Sequence, residues 1–150
     1  MKSCFMFGHA DCPDSILPKI EKAIELYYSE YGIQDFYVGN RGQFDHLAVT
    51  AVRHSKQRHS DIRLYLLLAY HPGDRAVDLT DGFDNSFYPP LERIPRPYAI
   101  VRANRYMVNT TDSIICYAKH TGNARNLFEY AKQRQQKREL TITNVAETTG

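Results

Sequence analysis

The chain has 150 residues, of which 43 % are hydrophobic and 24 % are charged, and its net charge is only +2. These values suit one globular domain with a complete core, and they exclude a strong overall attraction to nucleic acid or to anionic membranes. The 3 scattered cysteines exclude a disulfide framework.

Strands and helices alternate along the sequence. In chain order, the hydrophobic periodicity predicts strand 3–8, helix 15–31, strand 35–39, helix 44–59, strand 62–70, loop 71–97, helix 97–110, strand 113–118, a helix through 124–131 and strand 140–145. Asp14 is the predicted N-cap of the first helix, and Gly32 is its predicted stop. The run 62–70 is the longest apolar stretch, which predicts a central strand buried on both faces.

Strands joined by helical crossovers predict an α/β fold, a Rossmann-like three-layer sandwich with a mostly parallel five-stranded sheet. A single domain is expected over 1–150, with a frayed tail from about 146 to 150. No segment has the ~20 consecutive apolar residues of a membrane span, and the start has no stretch typical of a signal peptide. A cytoplasmic protein without a membrane partner is therefore expected.

Three glycine-containing loops follow the first, second and fourth predicted strands: FGHADC (7–12), VGNRGQFD (38–45) and KHTGNAR (119–125). In parallel sheets, ligands bind beyond the carboxyl ends of the strands where the strand order reverses. Gly39 and Gly42 precede a helix whose N-terminal N–H groups attract phosphate, and Arg41 can add a bidentate contact. The alternative is that the glycines only make tight turns, but three such loops at one sheet edge favour a binding site. Neither the Walker A loop nor the dinucleotide GxGxxG fingerprint is present.

Four segments together resemble the SLOG superfamily, in a small bacterial or phage branch: CFMFGHADCP, FYVGNRGQFD, LLLAYHP and RANRYMVNTTDSIICYAKHTGNA. That superfamily includes the Lonely Guy phosphoribohydrolases, the molybdenum-cofactor carrier proteins and the DNA-processing protein DprA. The resemblance covers about residues 4–145 and implies a domain that binds a nucleotide or a nucleotide-derived ligand. The ligand-binding residues that it implies are Gly8, His9, Gly39, Asn40, Gly42, Asp45, Arg102, Asn104, Gly122 and Asn123, and Met107 matches the same helix as Arg102 and Asn104.

The last loop departs from the phosphoribohydrolase pattern. In those enzymes it is PGGxGTxxE, and its Glu is catalytic together with an Arg. Here the run is AKHTGNARN, which has Arg125 or Asn126 at the position of that Glu, with Glu129 one helical turn further on. The sequence therefore favours binding over hydrolysis, and the arginines Arg41, Arg102 and Arg125 are predicted to share one phosphorylated ligand.

Several single residues allow two interpretations. Asp45 either hydrogen-bonds a ribose or caps the helix that begins near Phe44. His9 and Cys12 are three residues apart but lack a second ligand pair, so no metal is predicted, and no cofactor either. Cys12 near a helix N-terminus is a weaker candidate for a nucleophile, because no histidine partner is evident. The loop aromatics are candidates for stacking on a base: Phe83, Phe87, Tyr88 and Tyr98.

Three functions remain open at this point. The leading hypothesis is a binding module that acts as a sensor, carrier or sponge for a signalling nucleotide. The second is an enzyme that cleaves a nucleotide N-glycosidic bond, and the third is a DprA-like DNA-handling module. The weak net charge argues against nucleic acid as a partner. A homodimer is expected from the resemblance and because small α/β sandwiches often bury a helix face in this way.

Overall fold

In the computed structural model, which describes residues 2–70, 79, 82–91 and 95–147, a parallel sheet lies between two helical layers. The strands are β1 (Lys2–Gly8), β2 (Ile33–Val38), β3 (Arg63–Leu67), β4 (Asn85–Phe87), β5 (Ser113–Tyr117) and β6 (Thr141–Asn144). The helices are α1 (Leu17–Tyr31), α2 (Gln43–Arg58), α3 (Arg96–Thr110) and α4 (Asn123–Gln135), with a 3-10 turn at Asp14–Ile16 before α1.

The sheet has the strand order β4-β3-β2-β1-β5-β6, and each pairing is parallel. The strands after β1 first extend the sheet to one side, and β5 and β6 then extend it to the other. The order therefore reverses between β1 and β5, which is where open α/β sheets bind ligands. The Rossmann-like α/β prediction is confirmed.

Two details of the predicted sheet are wrong. The sheet has six strands instead of five, because the short strand β4 lies within the predicted loop 71–97. The middle positions belong to β1 and β2, so the strand predicted from 62–70 is not central, and its first residue, Arg63, is exposed. Residues 71–78, 80–81 and 92–94 of the predicted loop, and 148–150 of the predicted tail, lie outside the described residues.

Burial on both faces of β1 explains the run CFMF. Because successive strand residues point to opposite faces, Cys4 and Met6 join the core under α1 and α2, while Phe5 and Phe7 join the core under α3 and α4. Four consecutive buried side chains place β1 in the interior of the sheet.

The ends of α1 confirm one prediction and correct another. Gly32 has φ of 68° and ends the helix, as expected. Asp14 is not its N-cap, because it begins the 3-10 turn and α1 starts only at Leu17. The Asp14 carboxylate instead accepts a hydrogen bond from the side-chain amide of Gln43 at the start of α2. No helix in the described part of the chain is long and apolar enough to cross a membrane.

Asn144 ties the end of β5 to β6 through its side chain, which is only 8 % exposed. Its Oδ1 accepts the N–H of Ala118 at 3.1 Å, and its Nδ2 donates to the carbonyl of Ala118 at 2.9 Å. We expect Asn144→Ala to lower the free energy of unfolding by about 1–3 kcal/mol, because both buried backbone groups lose their partners. Urea denaturation measures this, with the exposed Asn126→Ala as the control. Equal midpoints for the two variants would contradict it.

Candidate functional site

A cavity of about 320 Å³ lies at the carboxyl end of the sheet, beside the reversal in strand order. Its walls come from the end of β1, the loops after β1 and β2, one side of α3 and the start of α4. Its volume lies at the lower end of the range for small-molecule sites, roughly 300–1,000 Å³. It brings together these predicted residues: Gly8, His9, Gly39, Arg41, Asp45, Asn104 and Asn123.

The remaining predicted residues lie elsewhere. Asn40 and Gly42 line an adjoining cleft of about 120 Å³, together with Phe83, one of the aromatics expected to cover a base. Gly39 and Asp45 border both spaces. Arg102, Gly122 and Arg125 line neither of them, and Met107 is buried in the core under α3 and α4.

Arg125 is engaged by the protein itself. Its Nη1 donates to the carbonyl of Ala118 at 3.3 Å, and its Nη2 pairs with Glu129 at 2.9 Å. The guanidinium also lies 5.0 Å from the ring centre of Phe128. Glu129, the nearest acid to the missing phosphoribohydrolase glutamate, is therefore paired with this arginine. The three arginines predicted to share a ligand are not brought together, and Arg41 alone of the three lines the cavity.

Asp45 acts as a cap at the start of α2 and also borders the cavity. It is the third residue of α2, and its Oδ2 accepts the N–H of Arg41 at 3.0 Å, so it caps the turn before the helix. Its side chain also borders the cavity. Burial raises the pKa of Asp45 above its usual range, although the Arg41 N–H and the Arg41 charge oppose the shift. It supplies the one carboxylate among the described residues that line the cavity.

Gly42 is required by the packing of the protein itself. A Cβ at Gly42 would lie 2.6 Å from the Cα of Ala10, in the loop after β1. Just beyond it, the N–H of Gln43 donates to the carbonyl of Ala10 at 2.9 Å. The two loops that border the cavity are thus in direct contact. Gly39 differs, because a Cβ there would face the Asp45 carboxylate at 3.1 Å and the Arg41 guanidinium at 3.3 Å.

Two helix N-termini approach the cavity. Asn123 and Ala124, the first residues of α4, line it, and Asp45 belongs to the first turn of α2. Gly122, just before α4, has φ of 151°, a conformation that residues with a Cβ rarely adopt. The unpaired N–H groups and the dipole at such ends favour negative charge. The first turn of α2 already contains the Asp45 carboxylate, which would repel an anion, whereas the first turn of α4 contains no acidic residue. The N-terminus of α4 is therefore the better candidate for binding an anion.

His9 is held by backbone groups on the opposite side of the crevice. Its Nε2 accepts the N–H of Lys119 at 3.0 Å and that of His120 at 3.3 Å. Its ring stacks on the ring of His120 with the centroids 3.8 Å apart and the planes 10° apart. No local motif indicates this pairing, because the contact depends on β1 and β5 being neighbours.

The cluster of His9, Asp11 and His120 places potential metal ligands within 4.8 Å of one another, but its geometry does not suit an ion. An imidazole binds metals in the plane of its ring, and parallel stacked rings cannot both do so toward one ion. The Nε2 of His9 also already accepts two N–H groups. Cys12 is no better as a nucleophile, since burial and nearby carboxylates raise its pKa to about 11.

Some cavity residues were not predicted as site residues: Ile100 on α3, and Ala124 and Leu127 on α4. Each follows the apolar periodicity of its helix, so the sequence alone suggests core packing. Only the sheet topology shows that these helices border the crevice. They give the cavity an apolar lining in addition to the polar groups of Arg41 and Asp45.

Comparisons with known proteins identify the fold. No protein-family model matches the chain, and no curated protein matches its sequence. The X-ray structure of DNA processing protein A (DprA) from Streptococcus pneumoniae is similar, with a TM-score of 0.62 and 17 % sequence identity. The match covers 94 % of this chain and 50 % of that one, so this chain spans about half the length of its structural neighbour. The similarity shows that the two proteins share a Rossmann-like fold.

Proposed function

We propose that the protein binds a nucleotide or a nucleotide-derived molecule in the cavity at the carboxyl end of β1, as a sensor, carrier or sponge. The observation that carries the proposal is the composition of this cavity, which combines a cation, a carboxylate, amide side chains and an apolar wall. An inorganic anion would use only the cation. A nucleotide has an anionic group, sugar hydroxyls and a flat base, and thus suits all of them.

The contacts suggest which part of the cavity takes which part of the ligand. Arg41 and the N-terminus of α4 suit the anionic group. The Asp45 carboxylate accepts hydrogen bonds and suits sugar hydroxyls or a base amino group. The apolar wall suits the base face, and Asn104 and Asn123 offer amides for its polar edge. The motifs that resemble the SLOG superfamily support the same placement.

A nucleotide panel tests the proposal. Native mass spectrometry of protein purified from cells first shows whether a ligand co-purifies. Nucleoside mono-, di- and triphosphates and cyclic dinucleotides are then titrated into the protein by calorimetry. We expect at least one to bind, and Arg41→Ala to weaken it roughly ten- to hundred-fold, because a charge-assisted hydrogen bond contributes about 1.5–3 kcal/mol. The matched control is Arg102→Ala, on the exposed part of α3. No binding across the panel, or equal affinities for both variants, would contradict the proposal.

The raised pKa of Asp45 favours one second candidate, an N-glycosidase. Catalytic acids and bases often occupy clefts where burial raises the pKa of a carboxyl group toward the operating pH. Asp45 is in such a cleft, beside a space of suitable size. The position of the phosphoribohydrolase glutamate is not filled by an acid, which is why binding remains the leading proposal.

A further inference from the structure

The protonation state of His9 follows from its partners. The backbone N–H groups of Lys119 and His120 both donate to Nε2. An N–H group can only donate, so Nε2 carries a lone pair and the ring is neutral with its proton on Nδ1. The residue is 5 % exposed, which leaves little water to replace these bonds.

These contacts join the two loops that flank the reversal in strand order. The His9 backbone N–H donates to the carbonyl of Tyr117, at the end of β5, at 3.2 Å. After one intervening residue, the N–H groups of Lys119 and His120 donate to the His9 imidazole. The segment held in this way leads directly into Gly122 and the first turn of α4, which lines the cavity. His9 therefore fixes the position of that cavity wall.

We infer that His9 is a pH-sensitive clasp that holds loop 118–122 against the loop after β1 and releases it when the imidazole is protonated. A second proton on Nε2 turns the acceptor into a donor that faces two donors. Both hydrogen bonds are then lost, and a cation is created 3.8 Å from the His120 ring. The effect of this release on ligand affinity rests on the proposed function, but the clasp itself does not.

Several titratable groups lie around His9. His120 stacks on His9, its Nδ1 lies 3.1 Å from the carbonyl of Thr121, and its Nε2 lies 3.4 Å from Asp11. The edge of Tyr117 meets the His9 ring with 5.7 Å between centroids. Among the described residues, charged groups near the segment and the cavity include Lys119, Arg125 with its partner Glu129, Arg41 and Asp45.

Burial, and secondarily His120, lower the pKa of His9 below its ordinary value of 6.5, while Asp11 opposes the shift. Because the folded-state pKa is depressed, the unfolded chain binds the proton first as pH falls. The contribution of the clasp to stability is therefore complete above about pH 6.5 and is lost as pH falls from there through the lower folded-state value.

Nuclear magnetic resonance of the full chain tests the clasp without any ligand. Long-range ¹H–¹⁵N spectra report the tautomer of His9, and amide exchange reports the protection of the Lys119 and His120 N–H groups. We expect the Nδ1–H tautomer at pH 7.5, and a loss of protection at those two amides of about ten-fold or more as His9 titrates, after correction for intrinsic exchange. The Nε2–H tautomer, or protection that is unchanged through the titration, would overturn the inference.

Two variants separate His9 from its neighbour. His9→Gln places an amide oxygen near the position of Nε2 and does not titrate, so protection should persist at low pH. His120→Gln removes the other histidine, and the pH response should remain. The reverse pattern, with the response lost in His120→Gln and kept in His9→Gln, would assign it to His120 and contradict the clasp.

Adenosine monophosphate serves as the probe for regulation, with affinities measured for the parent and for His9→Gln at pH 7.5 and at the pH where the spectra show His9 to be protonated. The second phosphate pKa of the probe, near 6, affects both proteins equally. We expect an additional loss of affinity at the lower pH in the parent alone. Equal losses would overturn the regulatory step. If the spectra show the clasp but no nucleotide of the panel binds, the proposed function fails and the clasp stands.

Discussion

Gly42→Val is expected to destabilise the protein strongly and to remove ligand binding with it. The new side chain would meet the Ala10 backbone, since even a Cβ would lie 2.6 Å from the Ala10 Cα. Overpacking of this kind costs about 1–3 kcal/mol, and losing the hydrogen bond from Gln43 to Ala10 adds roughly 1 kcal/mol. The melting temperature should fall by roughly 5–15 °C.

The matched comparison is Gly39→Ala, three residues earlier in the same loop. Its Cβ would meet the ends of the Arg41 and Asp45 side chains, at 3.3 and 3.1 Å, instead of backbone. We expect it to unfold near the parent midpoint but to bind nucleotide more weakly, because it narrows the cavity. Calorimetric melting and ligand titration of both variants measure the contrast. A Gly42→Val protein with the parent midpoint would show that the loops do not depend on this contact.

The order of elements was predictable because it depends on local pattern. Apolar periodicity marks each of the four long helices, and Gly32 marks the end of α1. Strand β4 was missed because NSF is three residues long and carries little apolar signal. The position of β3 was missed for a different reason. A long apolar run shows that a strand is buried, but the neighbours that a strand acquires depend on crossovers that no local pattern encodes.

The candidate site was predictable to the extent that it consists of loops at strand ends. Glycine spacing located the loops after β1, β2 and β5, and topology then placed all three at one edge. The reason for each glycine was not predictable. Gly42, for example, is required because a Cβ there would clash with Ala10, a residue far away in sequence. In the same way, Arg125 looked available for a ligand until the structure paired it with Glu129.

Sequence distance also hid the stacked histidines. His9 and His120 lie on loops more than a hundred residues apart and become neighbours only because β1 pairs with β5. The same pairing creates the crevice beside which the cavity lies. One long-range pairing therefore positions both the candidate site and the two stacked histidines.

Asp45→Asn separates a binding protein from an N-glycosidase. The variant is expected to be at least as stable as the parent at neutral pH, because an Asn oxygen can still accept the Arg41 N–H. Burial raises the pKa of Asp45 above its ordinary value of 3.8. The protonated carboxyl group therefore stabilises the folded protein fully only below that ordinary value, and this contribution is lost as pH rises through the folded-state pKa. Substitution thus removes the charge without unfolding the site.

Incubation of the parent with nucleoside monophosphates, with binding measured separately, is expected to release no free base above background. Cleavage of an N-glycosidic bond builds positive charge on the ribose, and glycosidases usually place two carboxylates around the bond. Asp45 is one carboxylate, and Glu129 is paired with Arg125 outside the described cavity. Chromatography that showed steady base release, lowered about 10²–10⁴-fold by Asp45→Asn, would identify Asp45 as a general acid or base and replace the binding proposal with the hydrolase.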